Sequence, residues 1–367
     1  MRRGWIALSL GLALLGCDDE EPELTEVQPD PARAEESGER LYRRYCALCH
    51  GRDGEGYAAD DAPALSNPQW LRTASDDFIE VAIAEGRPGT AMSAWSRRRG
   101  GPLTDPQIDA LVAYLRSWQR HPRASVDEVP VEGNAQRGRP VYAEECARCH
   151  GARGEGVNAI ALANPVLLRT ASDGFLRYAV AHGRSGTPMP AFAGELAPDQ
   201  IDDVVAYVRS FERGRPEPPP QRPVEQGDIP ALEDMDLVLN PDGPRPDFEL
   251  REERYVPAAD VHEAYANGAR MVILDARATS DWLRNRIPGA VPVPFYELDA
   301  IVEELPRDGT WMIAYCACPH AASGRVVDAL RRHGFTNTAV LNEGIQHWDE
   351  AGYPTASGPL AEGEQTD

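Results

Sequence analysis

The chain has 367 residues, 42% of them hydrophobic, and 37 basic side chains against 59 acidic ones give a formal charge of −22. That length points to two or three domains at roughly 100–200 residues each, with enough apolar residues to pack a core in each. So acidic a chain repels phosphate backbones, which disfavours nucleic acid as a partner and favours a partner with a positively charged docking face. Every basic residue is arginine, a bias of composition rather than of chemistry.

Residues 1–17 read as a targeting segment. Arg2 and Arg3 precede an apolar run over residues 5–15, too short to span a bilayer, which ends Leu14-Leu15-Gly16-Cys17. The segment resembles a bacterial lipoprotein signal. The resemblance implies cleavage ahead of Cys17, lipidation of its thiol and export to the periplasm. Several acyl chains on one cysteine anchor stably, at about 0.8 kcal/mol per buried methylene. Asp18, directly after the cysteine, resembles the signal that retains some such proteins at the inner membrane. No other apolar stretch reaches spanning length. Residues 18–39 hold ten carboxylates against Arg33 and are interrupted by Pro22, Pro29 and Pro31. They read as a self-repelling, extended tether over 18–33, with the first domain starting at residue 34.

Two copies of one unit follow, over 34–121 and 132–213. Gly38, Tyr42, Cys46, Cys49, His50, Gly51, Gly54, Glu55 and Gly56 recur as Gly138, Tyr142, Cys146, Cys149, His150, Gly151, Gly154, Glu155 and Gly156. Asn67-Pro68 and the run from Leu71 to Asp76 recur as Asn164-Pro165 and the run from Leu168 to Asp173; Gly86-Arg87, Gly89-Thr90 and Met92 match Gly183-Arg184, Gly186-Thr187 and Met189. The first copy carries four extra residues near 97–101. Both copies end on an amphipathic helix. Thr104 and Gln107 fit a capping box. Ile108, Leu111, Val112 and Leu115 form a stripe at helical spacing, as do Ile201, Val204, Val205 and Val208, and both stripes read as packing against the first helix of their unit.

Cys46-Ala-Leu-Cys49-His50 and Cys146-Ala-Arg-Cys149-His150 carry the chemistry. Two thiols one helical turn apart suit addition to the two vinyl groups of a haem, and the next histidine aims its imidazole at the iron. Each copy has about 80 residues, small for an independent core, and a covalent haem would supply apolar bulk. With the downstream Gly-Thr-x-Met and the Tyr-x-Arg-Ser ending, the region resembles tandem class I cytochrome c domains. The resemblance implies two covalently bound haem c groups, thioether bonds to Cys46, Cys49, Cys146 and Cys149, and axial iron ligands His50 with Met92 and His150 with Met189. His/Met ligation raises the reduction potential, because a thioether favours Fe(II). Met189 is held between Pro188 and Pro190, whereas Met92 lacks both prolines. His182, a rival sixth ligand, reads as a surface group on the preceding helix.

Residues 214–251 contain nine prolines and no helical or strand period, and read as a semi-rigid spacer in which Leu237-Val238-Leu239 is a candidate docked strand. A third domain is predicted over 252–356, followed by a tail over 357–367. A helix ending at Asn267 precedes three short buried runs: Met271 to Asp275, Trp311 to Tyr315, and Ala339 to Leu341. A clear helix covers 323–333, so alternating elements predict an α/β parallel sheet. Asp275-Ala276-Arg277, Ile287-Pro288-Gly289-Ala290, Val293-Pro294, Leu341-Asn342-Glu343-Gly344-Ile345 and Trp348 resemble a rhodanese domain. The fold class is thus two all-α cytochrome c domains followed by an α/β rhodanese-like domain. In that family the strand before the active loop ends in a cysteine that carries a persulfide, and Cys316 holds that place. Backbone N–H groups at the following helix start would face the sulfur anion and keep the thiolate nucleophilic. The loop Cys316-Ala-Cys318-Pro-His320 lacks the arginine that many members use for an anionic donor; Arg325 comes only on the helix. His320, when protonated, is the stand-in. Cys318 is the candidate resolving thiol, able to attack a persulfide on Cys316 or pair with it; zinc on Cys316, Cys318 and His320 would want a fourth ligand.

Three functions fit. One is a membrane-anchored dihaem electron carrier that also handles small sulfur compounds through a Cys316 persulfide. The second is a pure electron carrier with an inert rhodanese fold used for docking. The third is a sulfurtransferase with redox-sensing haems. Reactivity of Cys316 separates the second from the other two.

Overall fold

The computed structural model describes residues 37–126, 129–212, 223–225, 228–317 and 321–360. The leader with Cys17, the tether, Cys318 and His320 lie outside the described residues.

In the first repeat, Ser37 caps α1 (Gly38–Tyr45), whose inward face is Leu41, Tyr42 and Tyr45. A second short helix, α2 (Ala47–His50), follows at once. Then come α3 (Pro68–Thr73), α4 (Asp76–Glu85) and the terminal α5 (Asp105–Ser117), which has the expected capping box and buries Ile108, Leu111, Val112 and Leu115. The crossing of α1 and α5 is close because residue 38 is glycine: a Cβ there would stand 2.1 Å from the Ala110 carbonyl oxygen. Tyr42 packs on Tyr114 and edge-on against Trp118.

The second repeat repeats this plan with α6 (Ala135–Glu145), α7 (Ala147–His150), α8 (Pro165–Thr170), α9 (Asp173–His182) and α10 (Pro198–Arg209). A Cβ on Gly138 would lie 2.0 Å from the Asp203 carbonyl oxygen. The arginine of each Tyr-x-Arg-Ser ending ties the last helix to the middle of its repeat. Arg116 donates to Asp76 at 2.6 Å and to the Leu71 carbonyl at 2.7 Å; Arg209 donates to Asp173 at 2.5 Å and to the Leu168 and Ala171 carbonyls.

The repeats meet face to face around a pseudo-twofold axis. The Asn-Pro pairs do two jobs. Asn67 Oδ1 caps α3 by accepting from Gln69 and Trp70 N–H, while its Nδ2 donates to the Ser185 carbonyl at 2.9 Å. Asn164 caps α8 in the same way and donates to the Pro88 carbonyl at 3.0 Å. Phe78 and Phe175, equivalent residues, lie 4.9 Å apart at the centre.

The third domain is an all-parallel five-stranded sheet with the order β1-β5-β4-β2-β3: β1 (Tyr255–Val256), β2 (Met271–Asp275), β3 (Val291–Pro292), β4 (Trp311–Tyr315) and β5 (Thr338–Leu341). Helices α11 (Ala258–Ala266), α12 (Thr279–Arg284), α13 (Leu298–Ile301), α14 (Ala321–Arg332) and α15 (Gly344–Glu350) alternate with the strands. Apolar clusters on both faces explain why β2, β4 and β5 read as continuous apolar runs. The sequence predicts only those three strands, since β1 and β3 have two residues each and show no period. The stretch read as a spacer is anchored at its far end: Met235 and Leu239 enter the two clusters, and Leu239 bridges to Met271. Leu239 belongs to the segment expected to dock, Leu237-Val238-Leu239, and its apolar side chain finds a face to cover.

Candidate functional site

Each Cys-x-x-Cys-His segment is a turn of helix closed by a glycine. In repeat one the His50 N–H reaches the Cys46 carbonyl at 3.0 Å, and Gly51 leaves the helix at φ +80°. The Tyr42 hydroxyl donates to the Gly51 carbonyl at 2.7 Å. His50 is buried, and its Nδ1 lies 2.9 Å from the Pro63 carbonyl oxygen. An N–H there donates to that carbonyl, so the lone pair is on Nε2, the form in which imidazole binds a metal. Burial holds the imidazole pKa below its ordinary value and keeps it neutral. His150 has the same setting, with Nδ1 2.9 Å from the Ile160 carbonyl, and burial lowers its pKa too. Burial pushes the Cys46 thiol up to about 12 and the Cys146 thiol up to about 11.

The loops around Met92 and Met189 are equally alike. The Arg87 N–H donates to the Met92 carbonyl at 2.8 Å, and the Thr90 Oγ1 accepts from the Met92 N–H at 3.2 Å. Arg184, Thr187 and Met189 repeat both bonds, at 3.0 and 3.2 Å. Gly86, Gly89, Gly183 and Gly186 all have positive φ, which accounts for the glycines of the motif. Both methionines are half-buried. His182 is exposed at the end of α9, its ring tilted against Tyr178 with centroids 4.2 Å apart.

The donor set of each repeat fits haem c: two thiols, an imidazole with its Nε2 lone pair, and a thioether. A further observation agrees. Arg87 and Arg184 lie over Phe78 and Phe175, at 5.4 and 5.3 Å, and neither is within ion-pair distance of a carboxylate among the described residues. Burial lowers both guanidinium pKa values to about 10, so both stay cationic at neutral pH. Haem carries two carboxylates that such half-buried cations suit. The sequence reading placed these arginines in the motif but gave them no role.

In the third domain Cys316 follows β4 and is buried, with its Sγ 3.3 Å from Ser323 Oγ on α14. The strand end is fixed by a buried network: Arg277 donates to both carboxylate oxygens of Asp275, at 2.9 and 2.6 Å, and the Tyr315 hydroxyl donates to Asp275 at 2.8 Å. The Ile345 N–H donates to the Cys316 carbonyl at 3.0 Å, across Gly344 at φ +70°. Arg325 stacks at 5.8 Å over Phe295.

Tertiary structure brings this cysteine to repeat one. Helix α14 packs on α2, the helix of Cys49 and His50. The Cys49 thiol is pushed up to about 12, chiefly by burial, then by Asp60 and by Cys316 itself. Gln346, two residues past Gly344, donates to the Gly89 carbonyl at 3.3 Å. Tyr296 closes the junction against Tyr45 and Trp95, at 4.9 and 5.8 Å. No local pattern marks these contacts; the one trace is the four-residue excess near 97–101.

Comparison with known proteins agrees with this division. The family described as cytochrome C oxidase, cbb3-type, subunit III matches residues 33–115 and 133–208, and the rhodanese-like domain family matches residues 258–351. The cbb3-type cytochrome c oxidase subunit FixP of Bradyrhizobium diazoefficiens is 30% identical over 204 residues, which cover 52% of this chain and 67% of the relative. Among solved structures, a reducing HAO-like protein complex of Kuenenia stuttgartiensis is 25% identical, with 48% of this chain and 96% of that one covered at a TM-score of 0.33. The rhodanese-like domain of an Anabaena protein is 27% identical, with 28% and 78% covered at a TM-score of 0.26.

Proposed function

Since the chain belongs to the cytochrome family of cbb3-type oxidase subunit III and carries a rhodanese-like domain behind its two repeats, we propose that it is a dihaem electron carrier fed with electrons from sulfur held on Cys316. Cys46, Cys49, Cys146 and Cys149 would hold two haem c groups, with His50 and Met92 the residues that would bind one iron and His150 and Met189 those that would bind the other. Haem c supplies a one-electron Fe(III)/Fe(II) couple. Cys316 is the nucleophile: its thiolate joins hydrosulfide in an S–S bond, giving a persulfide, one proton and two electrons. Two one-electron carriers in one chain match that pair. Cys318 is the thiol that resolves the persulfide: its thiolate bonds to the outer sulfur, the S–S bond to Cys316 breaks, and Cys316 leaves as a thiolate ready for the next hydrosulfide.

The observation that supports the reading is the packing of α14, which follows Cys316, on the Cys49–His50 helix of repeat one. The absence of a loop arginine ahead of Arg325 favours hydrosulfide over thiosulfate. The acceptor is a redox protein of the oxidase kind, docking through a basic face on this acidic chain. We assign the chain to the periplasmic side of the inner membrane, held by lipid on Cys17. Among the described residues no helix is long and apolar enough to cross a membrane. A docking role for an inert rhodanese fold is the second reading, favoured by the bonds that this domain makes to repeat one.

The test is stopped-flow spectroscopy of the oxidised, haem-loaded protein mixed with hydrosulfide, polysulfide or thiosulfate. Hydrosulfide should reduce the haems, and Cys316→Ser should slow this by more than about tenfold, because the nucleophile is lost. Equal rates in the two proteins leave the docking reading standing.

A further inference from the structure

The loop that carries Met92 is held from outside its own repeat. Ser93 Oγ donates to Asp281 Oδ2 at 2.5 Å, and both residues are buried. Ser280 Oγ donates to the Ala94 carbonyl at 2.6 Å, and Thr279 Oγ1 to the Gly100 carbonyl. All three partners lie on α12 of the rhodanese-like domain. On the other side of Met92, Gln346 of α15 holds the Gly89 carbonyl. Arg284 pairs with Asp281 at 2.9 Å, so the bond from Ser93 runs to a carboxylate already compensated.

Among the described residues repeat two has nothing equivalent. Pro190, which stands where Ser93 stands, has no hydroxyl, and Pro190 and Ala191 are exposed where Ser93 and Ala94 are buried. The extra residues near 97–101 form a 3₁₀ turn ending at Gly100, where a Cβ would stand 2.8 Å from a Leu283 methyl. The insertion in copy one is therefore the seat of α12.

We infer that Ser280, Asp281 and Gln346 are positioning residues for Met92, so that the rhodanese-like domain sets the iron site of repeat one and leaves that of repeat two alone. The inference rests on Met92 as the sixth ligand. A thioether is a neutral, weak ligand, and a loop free to open loses it part of the time. Bonds that hold the loop closed keep sulfur on the iron and hold the potential up, since the thioether favours Fe(II). Proline on both sides of Met189 restrains repeat two by another route.

The experiment uses the haem-loaded full chain and three readouts: the deep-red thioether-to-iron band of the ferric protein, a redox titration resolving both potentials, and amide hydrogen exchange over residues 87–96. In Ser93→Ala/Ser280→Ala the share of the band lost in Met92→Ala should weaken, one potential should fall, the other should hold, and exchange in the loop should quicken. Asp281→Asn keeps an oxygen for Ser93 and should stay near wild type. Gln346→Ala, at an exposed contact, should move the same readouts less and serves if the double variant does not fold. If Met92→Ala leaves the band whole, the ligand assignment has failed. If Met92→Ala cuts the band while the double variant (or Gln346→Ala in its place) keeps band, potentials and exchange at wild type, the positioning role is overturned.

Discussion

Repeat one and repeat two build the same turn around His50 and His150, the same loop around Met92 and Met189, and the same arginine tie through Arg116 and Arg209. They differ in what lies against them. In repeat one the loop after the methionine is buried under α12, and the Cys49 helix is covered by α14; in repeat two Arg148 of the matching turn and Pro190 after the methionine are exposed. Duplication therefore supplied two copies of one donor set, and a short insertion gave one of them a neighbour.

The largest expected effect tests what the repeats share. Gly38→Val and Gly138→Val each place side-chain atoms where a carbonyl stands about 2 Å from Cβ. Each should destabilise its own repeat by about 3 kcal/mol or prevent its folding, read by calorimetry of the haem-loaded protein. A mild effect in either would mean that the helices cross differently there.

The interface between repeats is a finer test. Asn67→Ala and Asn164→Ala each lose a helix cap and a bond to the other repeat, at about 1–2 kcal/mol. Chemical denaturation should find the two costs equal within error; unequal costs would break the twofold relation.

The smallest effect separates the repeats. Repeat one has Ala110 where repeat two has Asp203, which accepts from Arg137 at 2.7 and 2.8 Å and from the Asn134 N–H at 2.6 Å. Arg137 holds the Asp203 carboxyl below the usual carboxylate range. A depressed carboxylate contributes stability that is present above its unfolded value and lost as pH falls through the folded one. Lowering the pH from about 6 to about 3 should thus cost wild type more than Asp203→Ala, with the difference confined to repeat two. Parallel urea midpoints for the two proteins would remove the ion pair from the comparison.

Much of this was legible along the chain. The duplication, the terminal stripes, the capping box at Thr104 and Gln107, and strands β2, β4 and β5 are patterns of fixed spacing, of helical period or of unbroken apolar runs, and the structure has each of them. The two-residue strands β1 and β3 were not legible, because pairing with β5 and β2 defines them rather than their own residues. Leu239 was legible as part of a docking segment and does pair with Met271, whereas Met235 was left in the spacer, yet an apolar face of the sheet domain receives it.

The sequence by itself determined the geometry of each Cys-x-x-Cys-His turn: two thiols, an imidazole and a glycine within six positions act through one helical turn, and no distant residue is needed to align them. It also determined that Cys316 ends a buried strand. Only the tertiary structure decided which repeat that cysteine meets and that Asp281 reaches Ser93 across 188 positions. Such contacts follow from which surfaces bury one another, and burial is a property of the assembled chain that no local spacing encodes.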